Sequence, residues 1–347
     1  MQNRNLNEIK NNELEFVRCD FCNSNKQHII LRSKDYIFNI IPKKFNIVKC
    51  LNCNLVFTNP RLKTEELIKN YSKIVSYDNR PIKLNQKNRF NLFLRKDFLV
   101  DFFNYPYFEK KKLRKLIQYP NYLRVIRRKK ETQFIPNYIK NGRILEIGCS
   151  YGYYLSQLKN IGWDVKGIEL SKKAVEFAKN ELNLDVECKS IEDFQSDTLF
   201  NIIYMNMVLE HVESPKKILE KCFSLLKEKG KLIFSVPDFS GVEVRIFKKY
   251  AYSLQLPFHL YHFTPYTIKN YLKKFDFANI KIIHQISDRD LIAPLSFILS
   301  ENPNKKLAKY LFNLLTFSFF RKSVIRLLIN ILALLGITSR MTVIAEK

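Results

Sequence analysis

From residue 143 onward the chain alternates between short β-branched runs and segments of helical period, and this rhythm restricts the fold more than any other feature. RILEI reads as a strand, YYLSQLKNI as a helix, DVKGIE as a strand, SKKAVEFAKNEL as a helix and DVECK as a strand. NIIYM, the helix PKKILEKCFSLLKE and the strand KLIFSV continue it. The helix TPYTIKNYLKKF and the strands NIKIIHQI and MTVIAE close it. Alternation of this kind needs crossover connections, which give a parallel sheet covered by helices on both faces. The expected fold class is α/β.

In such a sheet the ligand crevice lies outside the carboxyl ends of the strands, where the first strand meets the first helix. ILEIGCSYGYYL, residues 144–155, occupies that point. A dinucleotide loop needs G-x-G-x-x-G, but Gly148 is followed by Cys149, Ser150, Tyr151 and only then Gly152. No G-x-x-x-x-G-K-S/T is present, which removes the P-loop reading. Glu146 would repel a pyrophosphate in the same loop, whereas it would attract a cation. S-adenosylmethionine carries a sulfonium and an ammonium and no phosphate. Glu169 ends the second strand, where a carboxylate can accept both ribose hydroxyls, a use shared with NAD sites.

E-x-G-x-x-x-G at a strand end, an acid ending the next strand and LEHV after the fourth together resemble the class I S-adenosylmethionine-dependent methyltransferases. The resemblance runs from about residue 140 to the C-terminus, apart from an insertion. It implies a Rossmann-like seven-stranded sheet with the last strand antiparallel. By position, it implies that Gly148, Cys149, Ser150 and Gly152 form the loop at the methionine end with Glu146 behind. Glu169 and Leu170 would hold the ribose and adenine face, Ser190 and Ile191 would contact adenine, and Asn206 would face the methyl-transfer region. In ubiquinone-type O-methyltransferases an acid upstream of LEHV resembles a metal site. Met207 stands in its place here, so the resemblance gives no metal at that turn.

A base is needed only where the nucleophile must lose a proton, and histidine titrates in the right range. His211 in LEHV, and His259 and His262 in PFHLYHF, are the candidates, the last two expected at the open mouth. A structural contact at the turn is the competing reading for His211.

Upstream, Cys19-x-x-Cys22 and Cys50-x-x-Cys53 form two knuckle pairs. Four thiolates fill a tetrahedral sphere and leave no place for water, so the expected ion is a structural zinc. The order of the cysteine pairs, LVFTNPR, a spacer and the methyltransferase-like core is similar to a subgroup that includes C-methyltransferases of deoxysugars and proteins of polysaccharide assembly. The expected organisation is a zinc-ribbon-like module over 1–62, a basic helical spacer over 63–135, and the core over 136–347 with a helical insertion at about 287–340.

The net charge is +26, and the stretch 79–130 alone holds 16 Lys and Arg against 3 Asp and Glu. Interleaved with Tyr105, Tyr107, Tyr119 and Tyr122, it reads either as a nucleic-acid surface or as a solvated or anionic-substrate face whose stems cover Phe98, Leu99 and Phe102. The insertion carries the uncharged runs 310–320 and 327–339, both too short to span a bilayer. They read as a helical hairpin on the core or a partner, or as a membrane-surface contact through 307–339. The first residues lack the apolar core of a secretory signal, so a cytoplasmic chain is expected.

Two functions stay open at this level. One is a small-molecule methyltransferase acting on a sugar, nucleotide-sugar or lipid-linked glycan. The other is an RNA methyltransferase or nucleic-acid-binding protein, weakened by MNMVLEHV standing where a PP-Y/F/W motif would be. An NAD-dependent sugar-nucleotide enzyme is a weaker third.

Overall fold

The computed structural model describes residues 13–77, 96–107, 113, 115–120, 135–285, 287–317 and 324–347. Most of the basic stretch 79–130, Tyr122 included, therefore lies outside the described residues.

The amino-terminal part consists of β1 (Leu14–Glu15), β2 (Gln27–Lys34), β3 (Lys44–Cys50), β4 (Val56–Thr58) and β5 (Arg61–Leu62). Helices α1 (Thr64–Tyr77) and α2 (Lys96–Phe103) follow. The core then runs β6 (Arg143–Ile147), α3 (Tyr153–Asn160), β7 (Asp164–Glu169), α4 (Lys172–Leu182), β8 (Val186–Cys188), β9 (Phe200–Asn206), α5 (Pro215–Leu225) and β10 (Leu226–Pro237). It continues through α6 (Val242–Phe247), β11 (Tyr261–His262), α7 (Pro265–Lys274), β12 (Ala278–His284), the insertion helices α8 (Arg289–Glu301), α9 (Lys306–Thr316) and α10 (Arg326–Leu334), and β13 (Arg340–Glu346).

Seven strands form the main sheet in the order β12-β13-β10-β9-β6-β7-β8. The pairs β6 to β7, β6 to β9, β7 to β8 and β9 to β10 are parallel. β13 is antiparallel to both β10 and β12, in keeping with the resemblance. Chain order reverses between β6 and β9, so the crevice opens above Ile147 and Asn206. The fold is a Rossmann-like seven-stranded α/β sheet with its last strand antiparallel.

Helix α5 starts where Ser214 caps it, with Pro215 in its first turn. It stops at Leu225 rather than Glu228, because Leu226 already pairs with Phe200 in the sheet. On one sheet face α2 buries Phe98, Leu99 and Phe103 against Leu155, Leu158 and Trp163, and the Trp163 indole donates to Tyr105 Oη at 2.7 Å. Lys115 lies over the Phe102 ring, 5.8 Å from its centroid, so this part of the spacer covers apolar surface with a basic stem.

The amino-terminal sheet has the order β11-β4-β3-β2, and its edge strand β11 comes from the core, between β10 and α7. Cys19, Val48, Cys50 and Phe57 share one buried cluster with Ile147, Met205 and Phe263. Asp20, inside the first knuckle, accepts from Ser214 Oγ at 2.5 Å, Lys216 N–H at 3.0 Å and Tyr271 Oη–H at 2.8 Å, and so caps α5. The expected module boundary at residue 62 is therefore crossed by a shared sheet, a shared core and a helix cap.

The insertion is three helices in the described residues. Leu295 and Ile298 of α8 bury against Ala308 of α9. The inner face of α10, Ile329 and Ala333, is buried, and the helix contacts β12. Glu301 at the end of α8 accepts from Lys34, Tyr36, Lys249 and Tyr250, tying the insertion to β2. Among the described residues no helix is long and apolar enough to cross a membrane.

Candidate functional site

The loop after β6 turns through three left-handed residues, Gly148 (φ 69°), Ser150 (φ 51°) and Gly152 (φ 75°). At the two glycines both conformation and space exclude a side chain. A Cβ on Gly148 would come within 2.7 Å of Val208, and one on Gly152 within 2.6 Å of Leu184. Ser150 adopts the same region with its side chain exposed, so only intrinsic backbone preference opposes it there.

Glu146 lies beneath this loop, buried, with its Oε2 lacking any hydrogen-bond partner. Burial, and then the charge of Glu169, push its carboxyl well above the carboxylate range. Burial, and then the charges of Glu146 and Glu169, raise the Cys149 thiol and hold it protonated. A buried acid with an unused oxygen at a crevice floor suits a cationic ligand, which would supply both the donor and the counter-charge.

Glu169, at the end of β7, turns one oxygen to Ser150 N–H (2.9 Å) and the other to Leu170 N–H (2.8 Å) and Ser171 N–H (2.9 Å). Leu170 beside it is 71% exposed, a large apolar surface with no core to join. Ser190 Oγ donates to Asp193 Oδ2 at 2.7 Å and accepts from Asp193 N–H at 3.2 Å, so it is held in a local turn. Ile191 is buried. Asn206 is exposed at the end of β9, across the switch point from the glycine loop.

The histidines diverge from expectation. His259 and His262 do not face an open mouth: both are buried, His262 within β11. The Thr58 hydroxyl donates to His259 O at 3.0 Å, so its oxygen can accept from His262 Nε2–H at 3.2 Å, and that nitrogen carries a proton. His259 Nδ1–H donates to Ser253 O at 2.8 Å and His211 Nδ1–H to Phe258 O at 2.9 Å; carbonyls only accept, which fixes both tautomers. The two rings meet edge to face at 4.7 Å.

His211 is half-buried, and with Nδ1–H committed to Phe258 O its Nε2 is the nitrogen left to accept a proton. Burial pulls His211 down to about 4 and His262 to about 3. His259 falls well below its ordinary value through burial and then through its two histidine neighbours. All three are neutral at pH 7.

Three features are not visible in the sequence motifs. Glu210, His211 and His259 bring a carboxylate oxygen and two imidazole nitrogens within 4.8 Å of one another, a donor set that Met207 upstream of LEHV does not disclose. Arg340, buried at the start of β13, donates through Nε to both Asp290 oxygens at 3.3 Å and sets Nη1 3.9 Å from Met207 Sδ. Glu243 is buried nearby, and burial, then the Asp290 charge, push its carboxyl up to about 8. Arg340 directly before MTVIAE, a charge entering a buried strand, is the one signal of this cluster that the sequence carries.

In the amino-terminal part the sulfurs of Cys19 and Cys53 lie 3.4 Å apart and those of Cys22 and Cys50 3.6 Å apart, and all four fall within 4.8 Å.

Residues 117–282, just under half of the chain, match the family model described as "Methyltransferase domain". The ubiquinone biosynthesis O-methyltransferase of Coxiella burnetii is 33% identical over 122 residues, 33% of this chain and 50% of that protein. The mitochondrial enzyme of the same name from Schizosaccharomyces pombe is 31% identical over 107 residues, 28% of this chain and 39% of that protein. The chain thus spans about half the length, or less, of these curated relatives. Among solved structures, a SAM-dependent methyltransferase from Archaeoglobus fulgidus aligns over 69% of this chain and 95% of its own, at 16% identity and TM-score 0.41. The matched part of the core, residues 117–282, is thus similar to methyltransferase domains.

Proposed function

We propose that the chain is an S-adenosylmethionine-dependent methyltransferase whose acceptor is a small molecule of the sugar, nucleotide-sugar or lipid-linked glycan class. The observation that carries the cofactor assignment is Glu146, a buried carboxyl with an unused oxygen under a loop whose spacing refuses a pyrophosphate. Gly148, Cys149 and Ser150 would line the methionine end over Glu146. Glu169 would take the ribose hydroxyls, and Leu170, Ser190 and Ile191 the adenine. When bound, the cofactor supplies an electrophilic methyl group on a sulfonium.

The residues of the chain then have three tasks. Asn206 and His211, from the end of β9 and the turn after it, bound the side of the crevice where an acceptor must sit in line with the methyl. Closing this space against water lets the displacement proceed from a prearranged geometry. Where the acceptor atom carries a proton, His211 Nε2 is the atom that takes it, since Nδ1–H is committed to Phe258 O. Its lowered pKa makes it a weak base, so alignment contributes more to the rate than proton transfer does.

The four cysteines would hold a structural zinc. Tetrahedral Zn–S bonds of about 2.3 Å place sulfurs about 3.8 Å apart, close to the separations in this cluster. The saccharide class is supported by the order of parts, cysteine pairs, LVFTNPR, spacer and core, which is similar to the deoxysugar and polysaccharide-assembly subgroup. Incubating the full chain with labelled methyl donor and, separately, nucleotide-sugars, lipid-linked glycans and RNA tests the acceptor. Label in a saccharide is expected; label in RNA alone would replace this acceptor class with the nucleic-acid one.

A further inference from the structure

The insertion carries a surface that methyl transfer leaves unused. On α10, Leu327, Leu328, Ile331, Leu334 and the adjoining Leu335 are 45–66% exposed, while Ile329 and Ala333 on the opposite face are buried. The exposed set recurs at i, i+1, i+4, i+7 and i+8, one continuous stripe of a helix. On α9, Ala308 is buried in the cluster with α8, and Leu307, Tyr310 and the adjoining Phe317 are 64–66% exposed, beside exposed Lys306, Lys309 and the preceding Lys305.

Charge decides among the occupants such a surface could have. Between Glu301 and the buried, Asp290-paired Arg340 the sequence contains six Lys and Arg and no acidic residue. A second copy of the chain would bring the same cations to the contact with no anion to answer them. A nucleic acid would answer the cations but offers nothing to five exposed Leu and Ile side chains. A surface that is both anionic and apolar satisfies both halves.

We propose that α9 and α10 lie on the surface of an anionic phospholipid bilayer, the apolar side chains entering the acyl boundary and the lysines meeting the headgroups. The helices are too short to cross, so the contact is peripheral. The proposal rests on these two helices alone and stands whatever the acceptor proves to be.

Flotation of the full chain with vesicles of phosphatidylcholine, and with vesicles of equal parts phosphatidylcholine and phosphatidylglycerol, tests it. Binding to the anionic vesicles is expected to exceed binding to the neutral ones and to weaken as salt rises. Leu327→Ser/Leu334→Ser and Lys305→Glu/Lys309→Glu should each weaken binding about tenfold or more. All four positions are exposed, so the melting temperature should not move. Equal binding to both vesicle types, or anionic binding untouched by the leucine pair, overturns the proposal. So does absence of vesicle binding together with a dimer, seen by light scattering, that the leucine variant dissolves.

Discussion

The carboxylate of Glu169 accepts a hydrogen bond from the backbone N–H of Ser150 at 2.9 Å. One acid thus joins the end of β7 to the left-handed turn after β6, and its other oxygen holds the start of α4 through Leu170 and Ser171. The group assigned to the ribose also shapes the loop assigned to the methionine end.

Replacing Glu169 should therefore loosen the loop before any ligand is added. Hydrogen bonds to a charged acceptor are worth about 1.5–3 kcal/mol each when buried, and less at this half-exposed position. In Glu169→Ala the Ser150 amide should exchange with solvent about tenfold faster, with the global melting temperature falling only slightly. Unchanged exchange at Ser150 would show that the loop holds itself.

Glu146 should oppose stability and favour the cofactor. Its folded pKa is raised above the unfolded value, so the folded state holds its proton where the unfolded chain has lost it. Stability then falls as pH rises above the ordinary carboxylate value. Glu146→Gln should raise the melting temperature at neutral pH, and the gain should disappear toward pH 4.5. The same variant should bind S-adenosylmethionine more weakly. A melting gain with unaltered affinity would leave Glu146 a mere burial defect.

The histidines act in the other direction. Their folded pKa values are depressed, so the unfolded chain binds protons that the fold excludes, and stability is lost as pH falls from about 6.5 through about 4 for His211 and about 3 for His262. A tenfold difference in proton affinity between the folded and unfolded states corresponds to about 1.4 kcal/mol. His262→Gln should flatten part of this acid limb and leave turnover nearly intact. His211→Ala should cost about a hundredfold in kcat if the acceptor atom must be deprotonated. Steady-state rates beside melting curves over this pH range separate the two roles.

Removing one of the four clustered cysteines should disturb more than the amino-terminal part. Cys50→Ser is expected to release the metal, measured as zinc per chain by plasma mass spectrometry. Because Asp20 caps α5 and β11 completes the amino-terminal sheet, the calorimetric melt of the whole chain should shift as one transition. Purified protein without zinc would end the ribbon assignment; an early separate transition would mean that the two parts unfold independently.

Much of the sheet was legible because parallel strands buried on both faces are short apolar runs between helices, as in RILEI and KLIFSV. The glycine loop was legible because Gly148 and Gly152 answer steric demands that local sequence records. The burial of His259 and His262 was not, because β11 pairs with β4 across some two hundred residues and a two-residue strand has no period to detect. Nor could spacing show Arg340 meeting Asp290 from opposite ends of the insertion. Nothing in the sequence marks Asp20, because its role as a helix cap exists only once α5 and the knuckle are packed together.

Isothermal titration of the full chain with S-adenosylmethionine, beside Glu169→Ala and beside NAD, bears on all of this at once. Saturable binding of one S-adenosylmethionine per chain is expected, weakened about tenfold or more in the variant, with no heat from NAD. NAD binding in the same crevice, or S-adenosylmethionine affinity indifferent to Glu169, would contradict the reading of this site as a phosphate-free, cation-attracting adenosine pocket.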